Sequence, residues 1–315
     1  MYLGVDLGGT NIAVGLVDET FHIVHKDSIP TGADRADREI VRDMAAICQK
    51  VLSDTGTALA DVKWIGVGSP GTPDAKEGVL IYTNNINFRH TPIRKWMQED
   101  LGTPIPVFLE NDANCAALGE AYAGATKETD SSVMITIGTG LGGGIIINRH
   151  IYSGFNYSGG ELGHICVQLD GDLCTCGRSG CWEAYASANA LKRQTRAAIV
   201  ANPESRISAL VGGNPDDVSG KTAFDAMRDG CPVGTAVVER YIDYLSVGII
   251  DIINIFQPAI LVIGGGVCKE GDYLIRPLKE RVAKYVYSRD VAQTEIRVAE
   301  LGNDAGIIGA AALGA

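Results

Sequence analysis

Apolar residues along this chain follow two rhythms, and each predicts a kind of element. Tyr2 to Leu7 is a nearly unbroken apolar run, Gly8-Gly9-Thr10-Asn11 interrupts it, and Ile12 to Val17 resumes it. Short apolar runs bounded by glycine predict buried strands joined by a tight turn. A third strand is predicted over Phe21 to His25, after the turn at Asp18-Glu19-Thr20. Between Ala36 and Thr55 the rhythm changes: Ile40, Met44, Ile47 and Val51 recur at the spacing of one helix face. A buried strand, Trp64 to Gly68, then ends in Ser69-Pro70-Gly71. Another, Val107 to Leu109, ends in Glu110-Asn111-Asp112 and runs into an alanine-rich helix reaching Ala123.

The opening pattern recurs further on. Val133 to Ile137 predicts a strand, Gly138-Thr139-Gly140-Leu141-Gly142-Gly143-Gly144 a turn, and Ile145 to Ile147 a strand, before Asn148-Arg149-His150 turns the chain again. Two copies of strand, glycine turn and strand, about 130 residues apart, predict a duplicated α/β lobe with a cleft between the copies. A dinucleotide fold is disfavoured, because it needs a helix directly after its glycine turn and β-forming residues follow here. Val233 to Phe256 predicts a long helix stopped by Pro258; Ala259 to Ile263 predicts a buried strand, and Gly264-Gly265-Gly266 follows it. The tail, Asp304 to Leu313, predicts a helix that packs back on the first lobe.

Composition narrows the function classes. The 315 residues suffice for two lobes of ordinary domain size, and 46% hydrophobic with 21% charged residues is normal for a soluble globular chain. A net charge of −11, with no run of Lys and Arg, disfavours a nucleic-acid partner. The most apolar stretch, Val247 to Gly266, contains Asp251, Asn254, Gln257 and Pro258, which disfavours a membrane span. Asp6 interrupts any leader-like start, so a cytoplasmic location is the default. In that compartment the eight cysteines are not read as disulfides. Cys48, Cys115, Cys166, Cys231 and Cys268 are scattered and read most simply as small buried hydrophobes.

Four groups of residues carry candidate chemistry. The glycine turns at 8–11 and 138–144 let backbone N–H groups approach a ligand, and as a pair they could hold a triphosphate, although either alone is also what a hairpin requires. No G-x-x-x-x-G-K-[ST] occurs. Asp6, just before the first turn, is within reach of a metal–nucleotide, or else bonds its own turn. Asp112 stands where a strand gives way to a helix, so it is either a helix cap or a general base for a hydroxyl, with Asn111 beside it offering one donor and one acceptor. His164, Cys174, Cys176 and Cys181 form H-x9-C-x-C-x4-C among the glycines 171, 177 and 180. Three thiolates and an imidazole suit a closed, tetrahedral, structural zinc site. Glu161 and Glu183 flank that knot and would be held near one another to accept hydrogen bonds from adjacent hydroxyls.

With these residues quoted, the chain resembles the ROK family of sugar kinases and repressors, within the actin-like ATPase superfamily. The resemblance lies in Asp6-Leu7-Gly8-Gly9-Thr10, Glu110-Asn111-Asp112-Ala113-Asn114, Gly138 to Gly144, Glu161-Leu162-Gly163-His164 and Cys174 to Glu183, and it runs to the end of the chain. It implies a two-lobed actin-like (ribonuclease H-like) α/β fold with duplicated βββαβα-type lobes and a zinc loop at 164–181. The lobes are expected at 1–117, with helix 304–315 packing back, and at 118–303. Asp112 would be the catalytic base. Gly71, Asn111, Asp112, Glu161, His164 and Glu183 would bind the sugar, and His164 would serve zinc through its other nitrogen. Asp6, Gly8, Gly9, Thr10, Asn11, Gly138, Thr139, Gly140, Gly142, Gly143, Gly265 and Gly266 would bind the nucleotide. ATP and Mg2+ are the implied cofactors beside structural Zn2+, with a homodimer whose lobes close on the sugar.

Two segments depart from the family pattern: Asn11 stands where many members carry Lys, and Asn85-Ile86-Asn87-Phe88 lacks the usual tryptophan. Glu161 and His164 suit a pyranose, with glucose first and N-acetylmannosamine, N-acetylglucosamine, allose or fructose as alternatives. A sugar-sensing repressor of the same family is disfavoured by the acidic charge, by the first strand starting at Tyr2, and by Asp112 itself.

Overall fold

The first apolar run becomes β1 (Tyr2–Leu7), the central strand of a five-stranded sheet, in a computed structural model that describes residues 1–315. β2 (Asn11–Val17) pairs antiparallel with β1, and β3 (Ile23–Pro30) antiparallel with β2 at the sheet edge. The predicted third strand therefore starts two residues later and runs five further than Phe21 to His25. Its alternating burial, one face wet, gives no apolar run to read. Helix α1 (Asp37–Thr55) follows, then β4 (Ile65–Ser69), parallel to β1. A small three-stranded sheet, β5 (Thr72–Asp74), β6 (Val79–Tyr82) and β7 (Arg89–Thr91), leads into α2 (Ile93–Leu101). β8 (Val107–Asn111) lies parallel to β4, and α3 (Asp112–Ala123) starts where it stops.

Side chains alternate across a strand, so one face of this sheet sends Leu3, Val5, Leu7, Ile65, Val67, Val107 and Leu109 into a core with α1 and α2. The other face carries Gly4, Gly66, Gly68, Glu110 and Asp6. It lies so close to α10 (Ala305–Ala311) that a β-carbon on Gly66 would come within 1.7 Å of the Ala310 carbonyl oxygen. The tail thus packs on the first sheet.

β9 (Ser132–Ile137), β10 (Leu141–Ile147), β11 (His150–Ile151), β12 (Ile260–Gly264) and β13 (Glu295–Val298) form the second sheet. Its order, β11-β10-β9-β12-β13, repeats the β3-β2-β1-β4-β8 order of the first, third-second-first-fourth-fifth in each. That is the duplication the two hairpins predicted. The second glycine turn is shorter than expected: Leu141 already begins β10, so Gly142, Gly143 and Gly144 are strand residues. The remaining helices are α4 (Glu183–Ala186), α5 (Ala188–Ala201), α6 (Arg206–Ala209), α7 (Thr222–Arg228), α8 (Pro232–Phe256) and α9 (Asp272–Tyr285). No helix is long and apolar enough to cross a membrane.

Two compact units result. The first comprises 1–134, 143–160 and 299–315, and the second 135–142 and 161–298. The first unit runs through α3 to Met134, with Gly119 lying directly against Ala305 of α10. The chain returns to the first unit at Ala299.

Candidate active site

In the first unit the turn after β1 is closed by the Gly8 N–H donating to the Asn11 carbonyl at 2.9 Å. Thr31, fully buried, clamps it from behind: its hydroxyl donates to the Gly8 carbonyl at 2.6 Å and its N–H to the Thr10 carbonyl at 2.9 Å. Gly9, Thr10 and Asn11 remain exposed, so this turn presents backbone to an incoming group. Asp6 projects from the same face as Gly4, toward α10. Burial, and secondarily the charge of Asp112, raises its carboxyl to about 6.

Asp112 begins α3, but the helix cap is Asn111. The Asn111 Oδ1 accepts from the Ala113 N–H at 2.9 Å and the Asn114 N–H at 3.3 Å, and its Nδ2 donates to the Gly71 carbonyl at 3.1 Å. Asn111 is therefore spent on structure at its oxygen, contrary to the acceptor expected of it, and keeps one free amide hydrogen. The Asp112 Oδ1 accepts from the Ala113 N–H at 2.9 Å, and burial pushes the carboxyl above its usual range. Gly71, at φ +92°, admits no side chain, since a β-carbon would meet the Tyr82 carbonyl oxygen at 2.0 Å.

Beneath this turn lies Glu110, which the sequence did not single out for a role. It is buried, its carboxyl is raised by that burial, and its Oε1 accepts from the Asn111 N–H at 2.8 Å and from Asn114 Nδ2 at 3.0 Å. The Glu110–Asn114 pair and Thr31 hold the predicted site residues. Only partners distant in sequence, or one helical turn away, reveal them.

In the second unit the Gly138 N–H bonds the Gly140 carbonyl at 3.0 Å, and Gly265, at φ +106°, lies against the Ile137 carbonyl that leads into that turn. The Gly265-Gly266 loop and the glycine turn thus sit side by side. The Leu141 N–H donates to Glu183 Oε2 at 2.9 Å, while Glu183 Oε1 accepts from the Thr175 hydroxyl at 3.2 Å and the Cys174 thiol at 3.6 Å. Glu183 so ties the cysteine loop to the glycine turn. Glu161 is exposed at the start of the short helical turn Leu162–His164.

The ligand atoms of His164, Cys174, Cys176 and Cys181 all lie within 4.8 Å of one another. His164 Nδ1 is 3.6 Å from Cys174 Sγ, and Cys176 Sγ is 3.6 Å from Cys181 Sγ. An ideal zinc tetrahedron has N–S and S–S edges of about 3.6 and 3.8 Å, so the residues fit such an ion. Nδ1 faces the cluster, which leaves Nε2 of His164 for another partner. Trp182, buried with its Nε1–H donating to the Tyr244 carbonyl at 2.8 Å, and Tyr185, stacked on Tyr244 at 4.3 Å, fasten the loop to α8.

The two glycine turns, the Asn111–Asp112 corner and the cysteine cluster are the ones on which the family resemblance turned, and residues 2–315 match the ROK family throughout. The chain belongs to the ROK family. It is 37% identical over 309 residues to a glucokinase of Halalkalibacterium halodurans, covering 98% of this chain and 93% of that one. A glucokinase of Thermotoga maritima is 36% identical over 312 residues, 99% of this chain and 96% of its own. Among solved structures, a ROK family glucokinase from Streptomyces griseus in complex with glucose and AMPPNP superposes with a TM-score of 0.80 at 36% identity, over 99% of this chain and 98% of that one.

Proposed function

We propose that this ROK protein transfers the γ-phosphoryl group of ATP to glucose, giving glucose 6-phosphate and ADP. The observation that carries this is the half-buried Asp112 at the head of α3. Burial raises its pKa, which makes it a stronger proton acceptor than an exposed aspartate. Asp112 accepts the proton of the sugar's 6-hydroxyl as that oxygen attacks the γ-phosphorus, and ADP departs on the opposite side. Gly71, Asn111, Glu161, His164 and Glu183 are the residues we assign to the sugar, His164 through Nε2. Asn111 contributes its remaining amide hydrogen. Asp6, the turns at Gly8 to Asn11 and Gly138 to Gly143, and Gly265-Gly266 are assigned to the nucleotide. A magnesium ion carried with ATP would neutralise charge on the transferring phosphates, and Asp6 is the carboxylate we assign to face it.

Zinc is assigned to His164, Cys174, Cys176 and Cys181. Four protein ligands leave no open position, so its contribution is to hold Glu183 and His164 in place and not to react. A homodimer and a cytoplasmic location complete the proposal, on the family resemblance alone. The test is an ADP-release assay with ATP, magnesium and a panel of sugars. Turnover on glucose well above N-acetylmannosamine, allose and fructose is expected. Another preferred sugar would move the assignment within the hexoses, and silence across the panel would refute it.

A further inference from the structure

One cysteine stands beside the metal cluster without belonging to it. The Val167 N–H donates to the Gly180 carbonyl at 2.9 Å and the Trp182 N–H to the Ile165 carbonyl at 2.8 Å, so Cys166 and Cys181 face each other across an antiparallel bridge. They form its non-hydrogen-bonded pair, in which Cα atoms lie about 4.5 Å apart with both side chains on one face. Disulfides span Cα separations of about 4.4–6.8 Å, so this pair needs side-chain rotation and no backbone movement to join. Cys166 is half-buried, whereas Cys181 is fully buried and is one of the four metal-ligand residues. Read from sequence, Cys166 was one more small hydrophobe. The structure instead sets an uncommitted thiol opposite a ligand.

We propose that Cys166 is an oxidation site that dismantles the metal cluster by forming a disulfide with Cys181; this rests on zinc occupying the cluster. The oxidant is a peroxide. The Cys166 sulfur attacks one peroxide oxygen, the O–O bond breaks, and the departing hydroxide takes the thiol proton as water, leaving a sulfenic acid. The Cys181 sulfur then attacks the Cys166 sulfur; an S–S bond forms, the S–O bond breaks and hydroxide leaves. The two sulfurs lose two electrons and hydrogen peroxide gains them, yielding one water and one hydroxide. Cys181 thereby loses its bond to zinc, and the cluster keeps three ligands where a structural site needs four. Cys166 reacts first because it is reachable by a small oxidant and is not bound to metal. Since His164 and Glu183 are fixed by the same loop, sugar binding falls with the zinc, and both return on reduction.

The experiment uses the zinc-loaded full chain, with zinc content measured by atomic spectroscopy before hydrogen peroxide is added. Zinc release is followed by a chromogenic chelator, and cross-links by peptide mapping without reductant. We expect peroxide to release zinc with a Cys166–Cys181 cross-link, Cys166→Ser to slow that release at least tenfold, and dithiothreitol with added zinc to restore the metal. Release from Cys166→Ser at the parental rate, a Cys176–Cys181 cross-link in the parent, or purified protein without zinc would each overturn the proposal. None of these readouts needs sugar or ATP, so they stand or fall apart from the kinase assignment.

Discussion

Replacing Asp6 with Asn should make the free protein more stable at neutral pH while removing its activity. The Asp6 carboxyl lies in the first unit against Gly306, where a β-carbon would come within 2.6 Å of Oδ2, and it titrates at about 6 against an ordinary 3.8. Burial is the larger cause and the Asp112 charge the smaller. Because the folded pKa is the higher one, the folded state binds the proton more tightly. Below pH 3.8 both states are protonated and no difference arises. Between 3.8 and about 6 the unfolded chain releases a proton that the folded one keeps, so stability falls as pH rises, and above 6 the whole penalty is present. At 1.36 kcal/mol per pH unit that penalty is about 3 kcal/mol, an upper figure because a buried amide carries its own desolvation cost.

Asp6→Asn keeps the shape and removes the charge, so a gain of about 1–3 kcal/mol is expected at pH 7.5, with a melting rise of about 2–4 °C per kcal/mol. The assay is thermal unfolding of both proteins from pH 4 to 8. The difference should be near zero at pH 4 and complete above pH 6.5. A difference that is flat with pH, or a variant less stable than the parent at pH 7.5, would refute the reasoning. ATP with magnesium should stabilise the parent more than the variant, since a bound cation offsets the charge that burial penalises.

Three further outcomes are expected. Asp112→Ala should lower kcat by about 10^3-fold, within the range for loss of a general base, without lowering the melting temperature; near-normal turnover would remove the base assignment. Gly71→Ala should cost about 1–3 kcal/mol and raise the KM for glucose more than it lowers kcat, because the positive φ and the Tyr82 carbonyl leave no room for a methyl. A parental melting curve for that variant would show the loop to be free to move. Cys176→Ser should lose zinc and thermal stability together, measured by metal analysis and calorimetry, and a metal-free variant that stays active would show the site to be dispensable.

What the sequence disclosed and what it withheld divide along a physical line. The paired hairpins, the amphipathic α1 and the histidine–cysteine cluster were legible because each is a pattern among residues close in the chain. Gly142 to Gly144 were misread as turn because glycine serves turns and close approach alike. Only the structure shows Gly144 lying in β10, where a β-carbon would come within 2.5 Å of the Ala117 side chain. The cap was hidden as well: the sequence offered Asp112 for it, whereas Asn111 caps α3 and also bonds the Gly71 carbonyl, 40 residues away. With Asn111 as the cap, the Asp112 carboxylate keeps an oxygen for another task, which is the condition a general base must meet. Asp6 and Glu110 show why their pKa shifts were out of reach: both arise from burial beneath α3 and α10, and α10 lies at the far end of the chain. A residue type and its spacing can nominate a catalytic acid or base, but desolvation by distant helices sets its proton affinity.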